Sequence, residues 1–282
     1  MRTDENPSIA VTGSTGHVGG AVAGHLRHAG VPLRLVVRDA GRAPAWVGDV
    51  VEASYGQRDA AAAALRGIDV LFMVSASESA DRLEQHRTFI DAAADAGVRH
   101  VVYTSFLGAA PDATFTLART HWATEEHLRA SPMSWTFLRN SLYLDVFPLF
   151  AGQEGVIRGP GGDGRVGAVA RADVARAAAA VLNDPGAHEG HTYDLTGPEA
   201  LTLAEIARVI AQATGRATTY QNETLDEAYA SRRPYGAPDW QVEAWVSTYT
   251  AIAAGRLDVV TDAVERLTGR PPMSLADVLA SA

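Results

Sequence analysis

The sequence contains no cysteine, which removes disulfides, zinc–thiolate centres and thiol catalysis together. It contains no lysine either, so all 24 basic residues are arginines. Such a chain offers no amine for a Schiff base and no ammonium to depress a neighbouring tyrosine's pKa. Long apolar runs are missing too, and none approaches the roughly 20 residues that a membrane-spanning helix needs. The polar Met1–Pro7 stretch and the short apolar run after it do not read as a signal peptide, so a cytoplasmic location is expected. Positive charge is in deficit: 24 basic against 33 acidic residues give a net charge of −9. That balance speaks against nucleic acid, whose phosphates reward basic patches. Neither an HExxH metal motif nor a GxSxG nucleophile elbow occurs. His188 and His191 lie three apart but in a turn, so no metal is expected, and Glu125-Glu126 read as a solvated helix face.

What is present is a glycine-punctuated start. Ser8-Ile9-Ala10-Val11-Thr12 reads as a short buried strand, and Gly13, Gly16 and Gly19 follow at three-residue spacing. Ala21 to Leu26 then continue at helical spacing. Strand, tight turn and helix start together form a dinucleotide-binding fingerprint. Glycine permits the turn, lets backbone approach a pyrophosphate and allows close helix packing, while the helix N-terminus offers oriented N–H groups. The spacing is GxxGxxG rather than GxGxxG.

The rest of the first half alternates strands and helices. Strands are predicted at 32–37, 47–53, 69–74, 100–104 and 134–138, with helices near 18–29, 60–65, 80–97 and 117–130. This is the pattern of an α/β doubly wound parallel sheet, a Rossmann fold. From about 144 the rhythm changes. A short strand near 155–158, a helix at 173–182, a return strand at 192–195 and a helix from 201 to 214 are expected, the last with Thr202 and Glu205 as a capping box. The loop Gly159–Gly164 reads as a turn, not a phosphate cradle, and the chain beyond 214 as mostly helical. The expected division is a dinucleotide-binding domain over 1–143, its sheet completed by 165–197, and a smaller, mostly helical substrate lobe from 144–164 and 198–282.

Candidate chemistry follows from position. Ligands of open α/β sheets bind beyond the carboxyl ends of the strands. There Ser75-Ala76-Ser77 and Thr104-Ser105-Phe106 stand. Arg38 ends the second strand, where arginine pairs with the 2′-phosphate of NADP; Asp39, next to it, keeps NAD open. His121 and Ser105 are the best-placed pair to polarise or protonate an acceptor, unless His121 only packs or caps. Asn140 could bond a carboxamide or substrate oxygen, or merely cap its loop. Aromatic residues, 7% of the chain, are bunched at Tyr143, Phe147 and Phe150, then at Tyr235, Trp240, Trp245 and Tyr249. Trp245 and Tyr249 share a helix face and could wall a pocket for a flat substrate, or simply fill a core.

Several segments are similar to the NmrA-like, atypical short-chain dehydrogenase/reductase family, its quinone oxidoreductase and triphenylmethane reductase branch in particular. They include TGSTGHVGG at 12–20, VVRD at 36–39, ASYG at 53–56, LFMVSAS at 71–77, YTSFLGA at 103–109, HWATEEHLR at 121–129 and WTFLRNSLYLD at 135–145. The resemblance implies NADPH as cofactor, held by Gly13, Thr15, Gly16, His17, Val18, Arg38, Ser75, Ser77, Thr104 and Asn140; Ser14, Tyr55 and Ala76 complete the candidate contacts. Where related reductases carry Tyr-x-x-x-Lys, this chain has His121-x-x-x-Glu125. The resemblance therefore implies direct hydride delivery to a quinone or similar conjugated aromatic; by position and aromatic bunching, Phe106, Tyr143, Phe147, Trp240 and Trp245 are the candidate substrate contacts. A role in aromatic natural-product tailoring, a homodimer, a dinucleotide-binding regulator without catalysis, and a ketone reductase using His121 as acid all stay open.

Overall fold

The structure, a computed structural model, describes residues 8–46 and 48–281. The expectations for Met1–Pro7 and for Val47 as the start of the third strand lie outside the described residues. In chain order the elements are β1 (Ile9–Thr12), α1 (His17–His28), β2 (Leu33–Val37), β3 (Val50–Glu52), α2 (Arg58–Leu65), β4 (Val70–Met73) and α3 (Arg82–Asp95). Next come β5 (His100–Phe106), α4 (Thr116–Ala130), β6 (Ser134–Asn140), α5 (Phe147–Phe150), β7 (Val156–Gly159), β8 (Arg165–Val166), α6 (Arg171–Asn183) and β9 (His191–Leu195). The remainder forms β10 (Leu201–Thr202), α7 (Leu203–Thr214), β11 (Thr219–Asn222), α8 (Leu225–Arg232), α9 (Asp239–Ala253), α10 (Ala263–Thr268) and α11 (Leu275–Ala280).

Seven strands form one sheet in the order β3-β2-β1-β4-β5-β6-β9. β1 pairs in parallel with both β2 and β4, so the sheet grows outward in two directions from the first strand. The crevice outside the carboxyl ends of β1 and β4 is the topological switch point, where such sheets bind ligands. This is the Rossmann-like arrangement predicted from the alternation of strands and helices. All four residues of β1 and of β4 are buried, which explains their unbroken apolar character.

Two compact units divide the chain. The first takes the chain up to Ser105, then Trp122–Leu138 and Val174–Tyr193. Its core holds Leu65, Leu71, Phe89, Tyr103 and Phe137, all fully buried. Each such side chain contributes roughly 1.5–3 kcal/mol by leaving water. The second unit takes Phe106–His121, Arg139–Asp173 and the chain from Asp194 on. Phe147, Ile157, Leu203, Ile206 and Leu275 form its core. The expected capping box is present: Thr202 accepts from the Glu205 N–H, and the Glu205 carboxylate accepts from the Thr202 N–H.

The region read as mostly helical contains one more strand. β11 pairs in parallel with β7, Thr219 opposite Val156. Its sequence, Thr-Tyr-Gln-Asn, is polar and largely exposed, so no apolar alternation announces it. The Gly159–Gly164 loop lies beside this strand. The Gly161 N–H donates to Tyr220 Oη (3.0 Å) and the Gly162 N–H to Asn222 Oδ1 (2.9 Å). Those amides are spent on the fold, which agrees with reading the loop as a turn.

Candidate functional site

In the first unit the β1–α1 turn is shaped by what its glycines lack. Gly13 has φ +64°, a conformation that L side chains rarely adopt. A Cβ on Gly19 would stand 2.4 Å from the Gly13 carbonyl oxygen, so only glycine lets α1 sit against the turn. Gly16 is the N-cap of α1 and supplies no side-chain cap, leaving the first-turn N–H groups to other acceptors. Ser14 is buried, yet its hydroxyl has no hydrogen-bond partner among the described residues. Thr15 and His17 are exposed beside it, and Val18 is buried beneath. A Cβ-free turn, an uncapped helix N-terminus and an orphaned hydroxyl fit a bound pyrophosphate.

Behind β2, Asp39 Oδ1 accepts from the Gly41 N–H (2.9 Å), and Glu52 accepts from the Ala40 N–H (2.7 Å). Asp39 thus caps its own turn through one carboxylate oxygen. Arg38 is exposed and forms no ion pair among the described residues. A free guanidinium beside an engaged carboxylate suits a phosphate better than a ribose hydroxyl.

The exit of β4 is fixed by a polar network that spacing does not reveal. The Val74 N–H donates to Thr12 Oγ1 (2.9 Å), and Tyr55 Oη donates to the Val74 carbonyl (2.6 Å). Tyr55 also stacks on Phe89 at 4.2 Å, and burial pushes its phenol above the ordinary range, so it stays protonated. The Ser75 N–H donates to Thr104 Oγ1 (2.8 Å). Two expected cofactor residues are therefore bonded to each other.

The Ala76 N–H donates to His86 Nε2 (2.9 Å), which places the imidazole proton on Nδ1, facing Thr124 Oγ1 at 2.9 Å. Burial, helped by the Arg82 charge, lowers the His86 pKa to about 3. Ser77 is exposed. His86 had one signal in the sequence, a polar residue on the face that carries Phe89, Ile90 and Ala93.

Ser105, a catalytic candidate, is buried, and its hydroxyl donates to Glu125 Oε1 at 2.6 Å. Glu125 was expected on a solvated helix face; it is instead fully buried, because the Ser105 hydroxyl and the Arg129 guanidinium (3.1 Å) solvate its carboxylate from within. Its neighbour Glu126 is the residue nearer water, held by Arg129 at 2.6 Å.

In the second unit, Asn140 Nδ2 donates to Tyr143 Oη (3.1 Å), while its buried Oδ1 has no partner among the described residues. The Arg171 guanidinium lies 5.2 Å over the Tyr143 ring. His121 is buried with its ring 6.1 Å from Phe106, which packs on Phe115 at 4.7 Å. Phe147, expected against the substrate, has no exposed surface and packs in the core beside Phe150. Trp240 is half-buried and does not line the cavity of this unit that Trp245 and Tyr249 wall.

That cavity, about 640 Å³, is walled by Phe150, Tyr235, Trp245 and Tyr249. Tyr249 is held flat. A Cβ on Gly159 would reach within 2.3 Å of its ring, and the Arg232 guanidinium lies 5.1 Å from the ring centre. Arg232 is itself anchored by buried Glu223 at 2.8 Å. Burial pushes the Tyr249 phenol up to about 12. Tyr249 is the fixed ring of this wall, Tyr235 and Phe150 are exposed, and Glu154, Arg158 and Arg232 add charge to the lining.

Comparison with known proteins adds four likenesses. A profile of the NmrA-like family matches residues 5–238. Quinone oxidoreductase 2 of Escherichia coli is 34% identical over 95% of this chain and 96% of its own length. An NAD(P)H azoreductase of Xenophilus azovorans is 32% identical over 95% of this chain and 96% of its own. Among solved structures, an NADPH-dependent quinone oxidoreductase of Escherichia coli, complexed with NADPH, superposes with a TM-score of 0.89 at 34% identity, covering 97% of this chain and 99% of that one.

Proposed function

The chain belongs to the NmrA-like family, and from that premise we propose that it is an NAD(P)H-dependent reductase that delivers hydride to a quinone-like aromatic acceptor. The observation that carries the reading is the β1–α1 turn, where an orphaned buried Ser14 hydroxyl and a Cβ-free cradle meet an uncapped helix N-terminus. A bound NADPH supplies the hydride.

The chain's own residues do the rest. Gly13, Thr15, Gly16, His17 and Val18 would take the pyrophosphate, and exposed Arg38, which forms no ion pair among the described residues, the 2′-phosphate. That favours NADPH over NADH. Thr104, in the first unit, is the candidate for the nicotinamide end, and Asn140, in the second, keeps a buried Oδ1 as an acceptor.

Neither Tyr55 nor Tyr103, whose phenols are buried in the first unit, is set up as an acid. The phenols of Tyr55 and Tyr103 are both raised by burial, and the chain has no lysine to lower either. A ketone needs a proton at its developing alkoxide, whereas a quinone delocalises the incoming charge over its ring. Within the second unit, Trp245 and Tyr249 stand in the wall of a cavity that could take a flat organic ligand. The finer identity of the acceptor, including one from aromatic natural-product tailoring, belongs to the same test.

That test is NADPH oxidation, followed at 340 nm, with a panel of naphthoquinones, azo compounds and simple ketones. Turnover is expected with the conjugated acceptors and not with the ketones. Tight NADPH binding with no oxidation by any acceptor would leave a redox-sensing regulator in place of a reductase. Efficient ketone reduction that His121→Ala abolishes would move the assignment to a His121 acid.

A further inference from the structure

Ser105 has one proton, and the geometry says where it is. Its hydroxyl lies 2.6 Å from Glu125 Oε1, the length of a hydroxyl donating to a carboxylate. The carboxylate is the acceptor of that bond, and its other oxygen accepts from the Arg129 guanidinium at 3.1 Å. That guanidinium is held in place: it lies 5.1 Å over the Trp135 ring and 4.8 Å over Phe137, two rings stacked on each other at 4.2 Å. Ser105 and Glu125 are both buried, so water does not compete for the bond. With its proton committed, the Ser105 oxygen keeps only lone pairs for anything else.

We infer that Glu125 is a positioning residue of the dinucleotide site: by holding the proton of Ser105 it makes that hydroxyl an acceptor for an N–H or O–H donor on the nicotinamide-riboside half of the cofactor. The inference rests on the dinucleotide reading above and refines it. Ser105 stands at the carboxyl end of β5, one residue beyond Thr104, which ties β5 to the exit of β4. Ligand donors at that edge are a carboxamide and sugar hydroxyls, and a hydroxyl that can only accept selects for them. The same commitment removes Ser105 as a donor to a developing alkoxide. The neighbouring helix residue adds a second fixture: Thr124 holds His86, and His86 holds the Ala76 N–H.

The experiment compares NADPH with adenosine 2′,5′-bisphosphate, a probe that lacks the nicotinamide riboside. Dissociation constants are measured by calorimetry for wild type, Ser105→Ala, Glu125→Gln and the double variant, with cofactor-free melting curves alongside. Ser105→Ala is expected to weaken NADPH about fivefold, the worth of one net hydrogen bond. The bisphosphate should bind that variant as it binds wild type. Glu125→Gln, whose amide can donate to Ser105 and occupy its lone pair, is expected to lose NADPH affinity likewise. The double variant should lose little more, since both changes remove one interaction.

NADPH binding by Ser105→Ala within twofold of wild type overturns the inference, whether or not Glu125→Gln folds. Equal weakening of both ligands overturns it as well, because the effect would then be a general loosening. Wild-type protein that binds neither ligand sinks the dinucleotide reading itself.

Discussion

At His86 a neutral imidazole does what a charged one could not: its Nε2 accepts the Ala76 N–H while Nδ1–H meets Thr124. Protonation would put a donor against a donor. The consequence is a dependence of stability on pH with a definite sign. The folded pKa, about 3, lies below the ordinary value of 6.5, so between these values the unfolded chain binds a proton that the native one refuses. Stability is therefore complete above the ordinary value and drains away as pH falls toward the folded one. At about 1.4 kcal/mol per pH unit, His86 accounts for a loss of roughly 2 kcal/mol by pH 5. Melting temperatures measured between pH 7 and 5 should fall, and His86→Gln, which keeps an acceptor near Nε2, should fall less steeply. Equal slopes would remove His86 as the cause.

Arg38 carries the other residue-scale prediction. Arg38→Ala is expected to weaken NADPH more than tenfold and to leave NADH within about twofold, because only NADPH carries the phosphate that the guanidinium pairs with. Fluorescence titration of both reduced coenzymes checks this, and equal losses would reassign the pocket to the acidic neighbour, Asp39.

Among the elements, α1 contains its own control. Gly19→Ala would bring a Cβ to 2.4 Å from the Gly13 carbonyl, so helix and turn must part. The expected result is a stability loss of about 1–3 kcal/mol and at least tenfold weaker NADPH binding. Gly24→Ala, in the same helix, meets nothing within 4 Å. It should stabilise the protein by up to about 1 kcal/mol, since alanine loses less backbone entropy than glycine in a helix. Denaturant midpoints and a coenzyme titration separate the two.

The contrast also shows what the sequence reveals of this element and what it hides. The glycine spacing announces a turn and a helix start, because close backbone approach leaves no other residue type there. It does not announce that Ser14 is left without a partner among the described residues. Glu125 hides for a different reason: a glutamate pair on a helix reads as a solvated face until the strand carrying Ser105 is laid beside it. β11 is silent in turn, being too polar and exposed to show a period.

For the molecule as a whole, the alternation of buried strands with helices makes the sheet legible, since a parallel strand buried on both faces is an apolar run of fixed length. The aromatic bunching in the second half is legible as composition, but its sorting is not. Trp245 and Tyr249 line a cavity while Phe147 fills a core, and only the backbone path through Gly159 and the Arg232–Glu223 pair decides which ring faces open space.

The whole-chain prediction concerns binding linkage. A ligand that binds only the folded state stabilises it by RT ln(1 + [L]/Kd), about 2.7 kcal/mol at a hundredfold excess over Kd. For a chain of this size that corresponds to a rise of about 5 °C in melting temperature. NADPH should produce this shift in wild type and a clearly smaller one in Gly19→Ala at the same concentration. A shift that Gly19→Ala leaves intact would mean that the coenzyme binds elsewhere than the β1–α1 turn, and the acceptor chemistry would then have to be rebuilt from a different site.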